Sequence, residues 1–211
     1  MKRNVWIAMI TIVTVCCVIG GTFHHIFGHG TGFFGRGGIE NMESGLEAFD
    51  TLRVDVNLMD VTVTAGERFD LSCEYAEGLE PVYEVKNGTL TIRQRTYWNQ
   101  RWGVNNAHCS LILTIPEQTP MDVIDVHTAL GSIQLEGIAA SACELQSNMG
   151  NCTVKKCDFD KSDLMTNMGG ITVSDTDLGD AEVDNDMGEI EIDDCTFASL
   201  DITAAMGGVS V

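Results

Sequence analysis

Six residues within a ten-residue stretch carry the side chains best suited to recognising a ligand. Arg93, Arg95, Tyr97, Trp98, Arg101 and Trp102 fall together with no acid among them, in a chain of formal net charge −19. Guanidinium groups and aromatic rings at this density can stack on sugar rings, meet headgroups or anchor a protein partner. The competing reading is an insertion between two strands whose aromatics cover one end of the fold. A second chemistry lies in the acids. From Gly131 onward there are 16 Asp and Glu against 3 Lys. Asp158, Asp160 and Asp163 are followed one repeat later by Asp175, Asp177 and Asp180. Stacked carboxylates can bridge Ca²⁺, which takes oxygen ligands. No loop has a dedicated ligand order, however, so a solvated acidic face is the simpler reading. No cofactor is expected, and calcium is the one candidate.

Other reactive groups are scattered. His24, His25 and His29 have no carboxylate or Cys at ligand spacing, and His108 and His127 are isolated. No Arg follows Arg101, and there is no Gly-x-Ser-x-Gly elbow. Outward carboxylates are so plentiful that pairs occur by chance, which weakens any glycosidase reading. The chain is therefore expected not to be an enzyme. Its negative charge would repel a phosphate backbone, so no nucleic-acid partner is expected. Of the 8 cysteines, none forms a CxxC pair. Cys143 with Cys152 or Cys157, and Cys73 with Cys109, remain candidate disulfides. Cys157 and Cys195 share a repeat position two coils apart, beyond disulfide reach.

The elements that must position these groups follow from hydrophobic period. Val54, Val56 and Leu58 alternate with polar residues, and Val61 and Val63 resume after Met59-Asp60. Leu71-Cys73-Tyr75 and Leu111-Leu113-Ile115 read the same way, and Asn87-Gly88 marks a tight turn between Val82–Val85 and Leu90–Ile92. The strongest signal is an internal repeat. Gly131, Gly150, Gly169, Gly188 and Gly207 stand 19 residues apart. Leu130, Met149, Met168, Met187 and Met206 precede them. Apolar residues recur two, four and fourteen positions after each Gly, as in Ile171, Val173 and Val183. A fixed period near twenty implies one supersecondary unit stacked on itself. Stacking places equivalent residues about 4.8 Å apart, so Met on Met and Ile on Ile are expected as interior ladders. The Gly marks a corner needing positive φ or close approach. Asn148, Asn167 and Asp186, two residues earlier, tolerate the left-handed conformation and can bond neighbouring turns. Neither a leucine-rich repeat nor the nine-residue calcium β-roll pattern is present. The fold expected is all-β: a single-stranded β-solenoid (β-helix) with 19-residue repeats, preceded by one N-terminal transmembrane helix.

Lys2 and Arg3 precede an uncharged run from Val5 to Gly21. A basic start before an apolar stretch makes an export signal or an anchor. No small-x-small cleavage point is convincing, so an uncleaved anchor with its N-terminus inside is favoured. The expected organisation is an anchor or signal over residues 1–22, a Gly-rich linker over 23–48 and the solenoid over 49–211.

The ordered set Leu52-Arg53-Val54-Asp55-Val56, Asp60-Val61-Thr62-Val63, Asn87-Gly88-Thr89-Leu90-Thr91-Ile92, Leu111-Ile112-Leu113-Thr114-Ile115-Pro116 and the Met-Gly-x-Ile-x-Val repeats resembles the bacterial "putative adhesin" family, a domain of unknown function built from β-strand repeats. The resemblance spans Phe49 to Val211. It implies a β-helix, often behind a membrane segment, in envelope proteins, with no catalytic residues to transfer. The resulting expectation is a single-pass cell-membrane protein whose extracytoplasmic module binds a protein or glycan through the Arg93–Trp102 patch. The alternative is a structural or regulatory envelope protein acting through assembly. Val211 falls on an inward repeat position, so self-association through an open C-terminal end is expected as a further contact.

Overall fold

In the computed structural model, residues 39–76, 78–94 and 109–211 are described. The expected anchor, most of the linker and its three histidines lie outside them. Among the described residues no helix is long and apolar enough to cross a membrane.

The described residues are all-β, and alternation explains why. β2 (Thr51–Leu58) buries Leu52, Val54 and Val56 and turns Arg53 and Asp55 to solvent. β3 (Asp60–Gly66) buries Val61 and Val63. A long strand followed by a short one is the recurring unit: β8 (Met121–Leu130) with β9 (Ile133–Glu136), β10 (Ala139–Met149) with β11 (Cys152–Lys155), and β12 (Asp158–Met168) with β13 (Ile171–Ser174). β14 (Asp180–Met187) with β15 (Ile190–Asp193), and β16 (Ser199–Met206) with β17 (Val209–Ser210), complete the series. Each unit lies on the next in parallel register. Leu145 sits between Val126 and Leu164, and Ile171 between Cys152 and Ile190.

The first half of the chain joins this stack out of chain order. β6 (Thr89–Gln94) and β7 (Ser110–Pro116) form one rung, which pairs in parallel with β2 and β3. The β2–β3 rung in turn pairs with β8 and β9, Val54 on Val126 and Val61 on Ile133. One sheet has nine strands in the order β1-β4-β7-β3-β9-β11-β13-β15-β17, with β1 (Ile39–Gly45) and β4 (Asp70–Ala76) antiparallel at its edge. The other has eight, with β5 (Pro81–Lys86) antiparallel at its edge. Setting aside β1, β4 and β5 leaves seven parallel rungs among the described residues. The β5–β6 hairpin turns on Asn87 (φ 51°) and Gly88 (φ 78°), the paired left-handed residues of a two-residue turn. Tyr83 of β5 donates its hydroxyl hydrogen to Ser44 of β1 at 2.8 Å, tying the two sheets together at this end.

Two expectations need correction here. Residues 39–45 are not linker. They form β1, which satisfies the free backbone edge of β4 with Met42 opposite Cys73. The methionine ladder exists in register but is not interior: Met149, Met168 and Met187 are 41–43% exposed. The chain turns at the following Gly, so the last inward side chain is two residues earlier. That buried column is Thr128, Ser147, Thr166 and Asn185, whose polar tips bond corner carbonyls: Thr128 to Met59, Ser147 to Gly131, Thr166 and Asn185 to Gly169. Val211 is exposed, because no described rung covers it.

The two corners use the backbone differently. Gly150, Gly169, Gly188 and Gly207 have φ between 148° and 156°, and a Cβ on each would strike the carbonyl of the preceding corner Gly. The opposite corner is left-handed at Gly137, Lys156, Asp175 and Asp194, with φ of 73°, 53°, 51° and 52°. Asn148, Asn167 and Asp186 have no such conformation; Asn167 instead donates to Asn148 on the next rung at 3.4 Å.

Candidate functional site

The predicted basic, aromatic patch begins at the end of β6. Arg93 is exposed on the outer face, opposite Asp55 on one side and Val82 on the other. Arg95, Tyr97, Trp98, Arg101 and Trp102 lie outside the described residues. The residues that bracket them are firmly held. Gln94 is 5% exposed. Its side-chain oxygen accepts from the backbone N–H groups of Asn57 at 3.1 Å and Leu58 at 2.9 Å, and its side-chain nitrogen donates to the Leu79 carbonyl at 3.0 Å. Cys109 is buried, and its carbonyl accepts the N–H of Asp60 at 3.0 Å. Both ends are thus fastened to the β2–β3 rung. Between the two strands other rungs have a pair such as Gly150-Asn151; here residues 95–109 stand between β6 and β7.

Register creates an acidic column that spacing alone did not reveal. Asp125, Glu144, Asp163, Glu182 and Asp201 lie side by side on the outer face of the eight-stranded sheet, with Arg53 beside Asp125. The neighbouring column runs Arg93, Asp55, His127, Gln146, Met165, Asp184. His127 Nδ1 stands 3.9 Å from the Asp55 carboxylate, and both side chains are well exposed, so the contact is weak. The two aspartate triplets do not superpose. Asp158 pairs with Asp177, but Asp163 lies on Glu182 and Asp180 on Lys161. Asp175 belongs to the left-handed corner instead. Among the described residues no three His, Cys, Asp or Glu side chains gather in a way that could hold a metal ion.

The corner methionines form an apolar ridge. Leu58, Leu130, Met149, Met168, Met187 and Met206 are successive partners in register, and from Leu130 to Met206 exposure runs from 41% to 62%. One rung concentrates sulfur inside: Cys143, Cys152 and Cys157 are all buried. The six described cysteines are free thiols, so neither Cys143 nor Cys73 has formed its candidate bond. Burial pushes the Cys152 thiol up to about 12 and holds Cys143 well above the ordinary range, with Cys152 and Cys157 close enough to raise it further. These are unreactive neutral thiols serving as small apolar groups.

No functionally curated protein matches the chain in sequence. Among solved structures, a "putative cell adhesion protein" from Clostridium sporogenes is similar at 15% identity and a TM-score of 0.51, covering 82% of this chain and 98% of that one. A "putative adhesin" from Bacteroides fragilis gives 13% identity and a TM-score of 0.41 over 82% and 97%. A "putative lipid binding protein" from Parabacteroides distasonis gives 18% and 0.32 over 83% and 98%. At these identities the first likeness speaks to fold alone. The family described as Toastrack DUF4097 matches residues 49–211, which take in every rung of the stack. The chain belongs to the Toastrack DUF4097 family.

Proposed function

We propose that this protein is a membrane-anchored, extracytoplasmic binding module of adhesin type, with no catalysis of its own. The observation that supports this most is the fastening of Gln94 and Cys109. These two residues bracket the basic, aromatic stretch in sequence and are both hydrogen-bonded to the acidic scaffold, on which Arg93 is exposed. Fixing the two ends of a recognition stretch lowers the ordering cost of binding, and the repulsive acidic faces discourage contacts elsewhere. The ligand class is a glycan or protein surface. The test is a glycan and cell-surface binding screen with the protein and its Trp98→Ala/Trp102→Ala variant, with and without calcium. Specific binding lost in the variant supports the reading. Undiminished binding by the variant removes the patch from it.

A second reading is a structural or regulatory envelope role through assembly. It is favoured by the exposed apolar side chains of Phe197 and Val209 near the last described rung. Concentration-dependent sedimentation that shifts on Phe197→Ser would favour it over the first.

A further inference from the structure

Hydrophobic burial does not account for the methionine ridge. The apolar inward columns of the stack are mostly Leu, Val and Ile, with no Met among them from β10 onward, yet the outward corner position is Met in four consecutive rungs. Met149, Met168, Met187 and Met206 are the exposed methionines among the described residues, and all four stand in one line. Outward methionines gain little from packing, and what they present is a row of thioether sulfurs. Thioethers are soft donors that select Cu(I)-type ions over hard cations. Spacing favours pairwise use. A zinc–thiolate bond is about 2.3 Å, and at a similar length the two sulfurs of a linear, two-coordinate ion lie about 4.6 Å apart. Parallel rungs are about 4.8 Å apart, and the flexible Met side chain can close so small a difference.

We propose that adjacent methionines of this ridge bind soft monovalent cations of the Cu(I) class, one ion bridging each pair of neighbouring thioethers. Each sulfur donates a lone pair; no bond breaks and no electron is transferred. The ridge ends at Leu130, which occupies the same column one rung earlier. Leu at this position is therefore compatible with the fold, and Met→Leu variants remove the donor without disturbing the stack.

The test uses Ag(I), a redox-inert stand-in for Cu(I). The full chain is taken up in detergent with methyl-labelled methionine. Cys16, Cys17 and Cys195 are replaced by Ser so that thiols do not intercept the metal. Methyl resonances of Met149, Met168, Met187 and Met206 should shift together and saturate, with buried Met59 and Met121 unmoved. Met168→Leu is the decisive variant, because Met149 then has no Met neighbour. Its response should weaken at least about tenfold, equivalent to about 1.4 kcal/mol, while the Met187–Met206 pair still responds. The proposal is overturned if none of the four moves at about millimolar Ag(I). It is equally overturned if Met149 responds in Met168→Leu as it does in the parent protein.

Discussion

Gly169→Ala probes the corner on which the stack depends. Gly169 has a φ of +152°, and an added Cβ would run into the carbonyl oxygen and carbon of Gly150 on the neighbouring rung. That obstacle is backbone, so no rotamer change relieves it. Holding an L-residue at such a φ costs about 1–3 kcal/mol. Relieving the clash also pulls the rungs apart where Gly150 donates to Met168 at 3.0 Å and Cys152 to Gly170 at 2.9 Å, at about 1 kcal/mol for each bond lost. The sum is about 4 kcal/mol, and at roughly 2–4 °C per kcal/mol for a domain of this size the melting temperature should fall by roughly 8–16 °C. The assay is thermal unfolding followed by circular dichroism, with Gly208→Ala as control. Gly208 has nothing within 4 Å of its added Cβ, so that variant should stay within about 0.5 kcal/mol of the parent. A Gly169→Ala protein as stable as the Gly208→Ala protein would refute the close-approach argument.

Gln94→Ala would leave the N–H groups of Asn57 and Leu58 and the carbonyl of Leu79 without their partner. A loss of roughly 3 kcal/mol is expected in urea unfolding, together with weaker ligand binding if the fastening of residues 95–108 matters as proposed. The buried thiols set an alkaline limit. Cys152 is held neutral in the fold with its pKa at about 12, against an ordinary value of 9.0. The unfolded thiol therefore ionises first, and stability, full below about pH 9, is lost as pH rises towards 12. The loss is about 1.4 kcal/mol per pH unit for each such thiol. Cys152→Val should flatten this limb in unfolding measured from pH 8 to pH 11, and an unchanged slope would show that Cys152 is not the titrating group.

The repeat was legible because inward positions such as Leu145, Leu164 and Val183 obey a strict spacing, and the Gly corner announces itself. The direction of the methionines was not. Period two extended through Thr166 places Met168 inside, but the corner turns the chain first, and Thr166 fills the core with its hydroxyl satisfied by Gly169. Nor was the β2–β3 rung legible as a rung, since buried Met59 and Asp60 stand where Gly131 and Ser132 stand in the next one. Aligning Leu52-x-Val54 with Ile124-x-Val126 would have exposed it. The left-handed corner was hidden because only Gly137 among its four residues is glycine. The acidic column arises from register between distant strands, so it could be read only once the order of the rungs was known. For the candidate site, the sequence supplied the residue types of the Arg93–Trp102 patch. The buried Gln94 that fastens it gave no signal, because a single Gln at the end of a strand is ordinarily exposed.

The corner, the fastening of Gln94 and the ridge all depend on the order of the rungs, with β2–β3 inserted between β6–β7 and β8–β9. Backbone amide NOEs in the deuterated protein test this directly. Leu52 should show cross-strand contacts to both Leu90 and Ile124, with none between Leu90 and Ile124. A direct Leu90–Ile124 contact would mean that β6 adjoins β8. The corner, the fastening of Gln94 and the ridge would then all have to be redrawn.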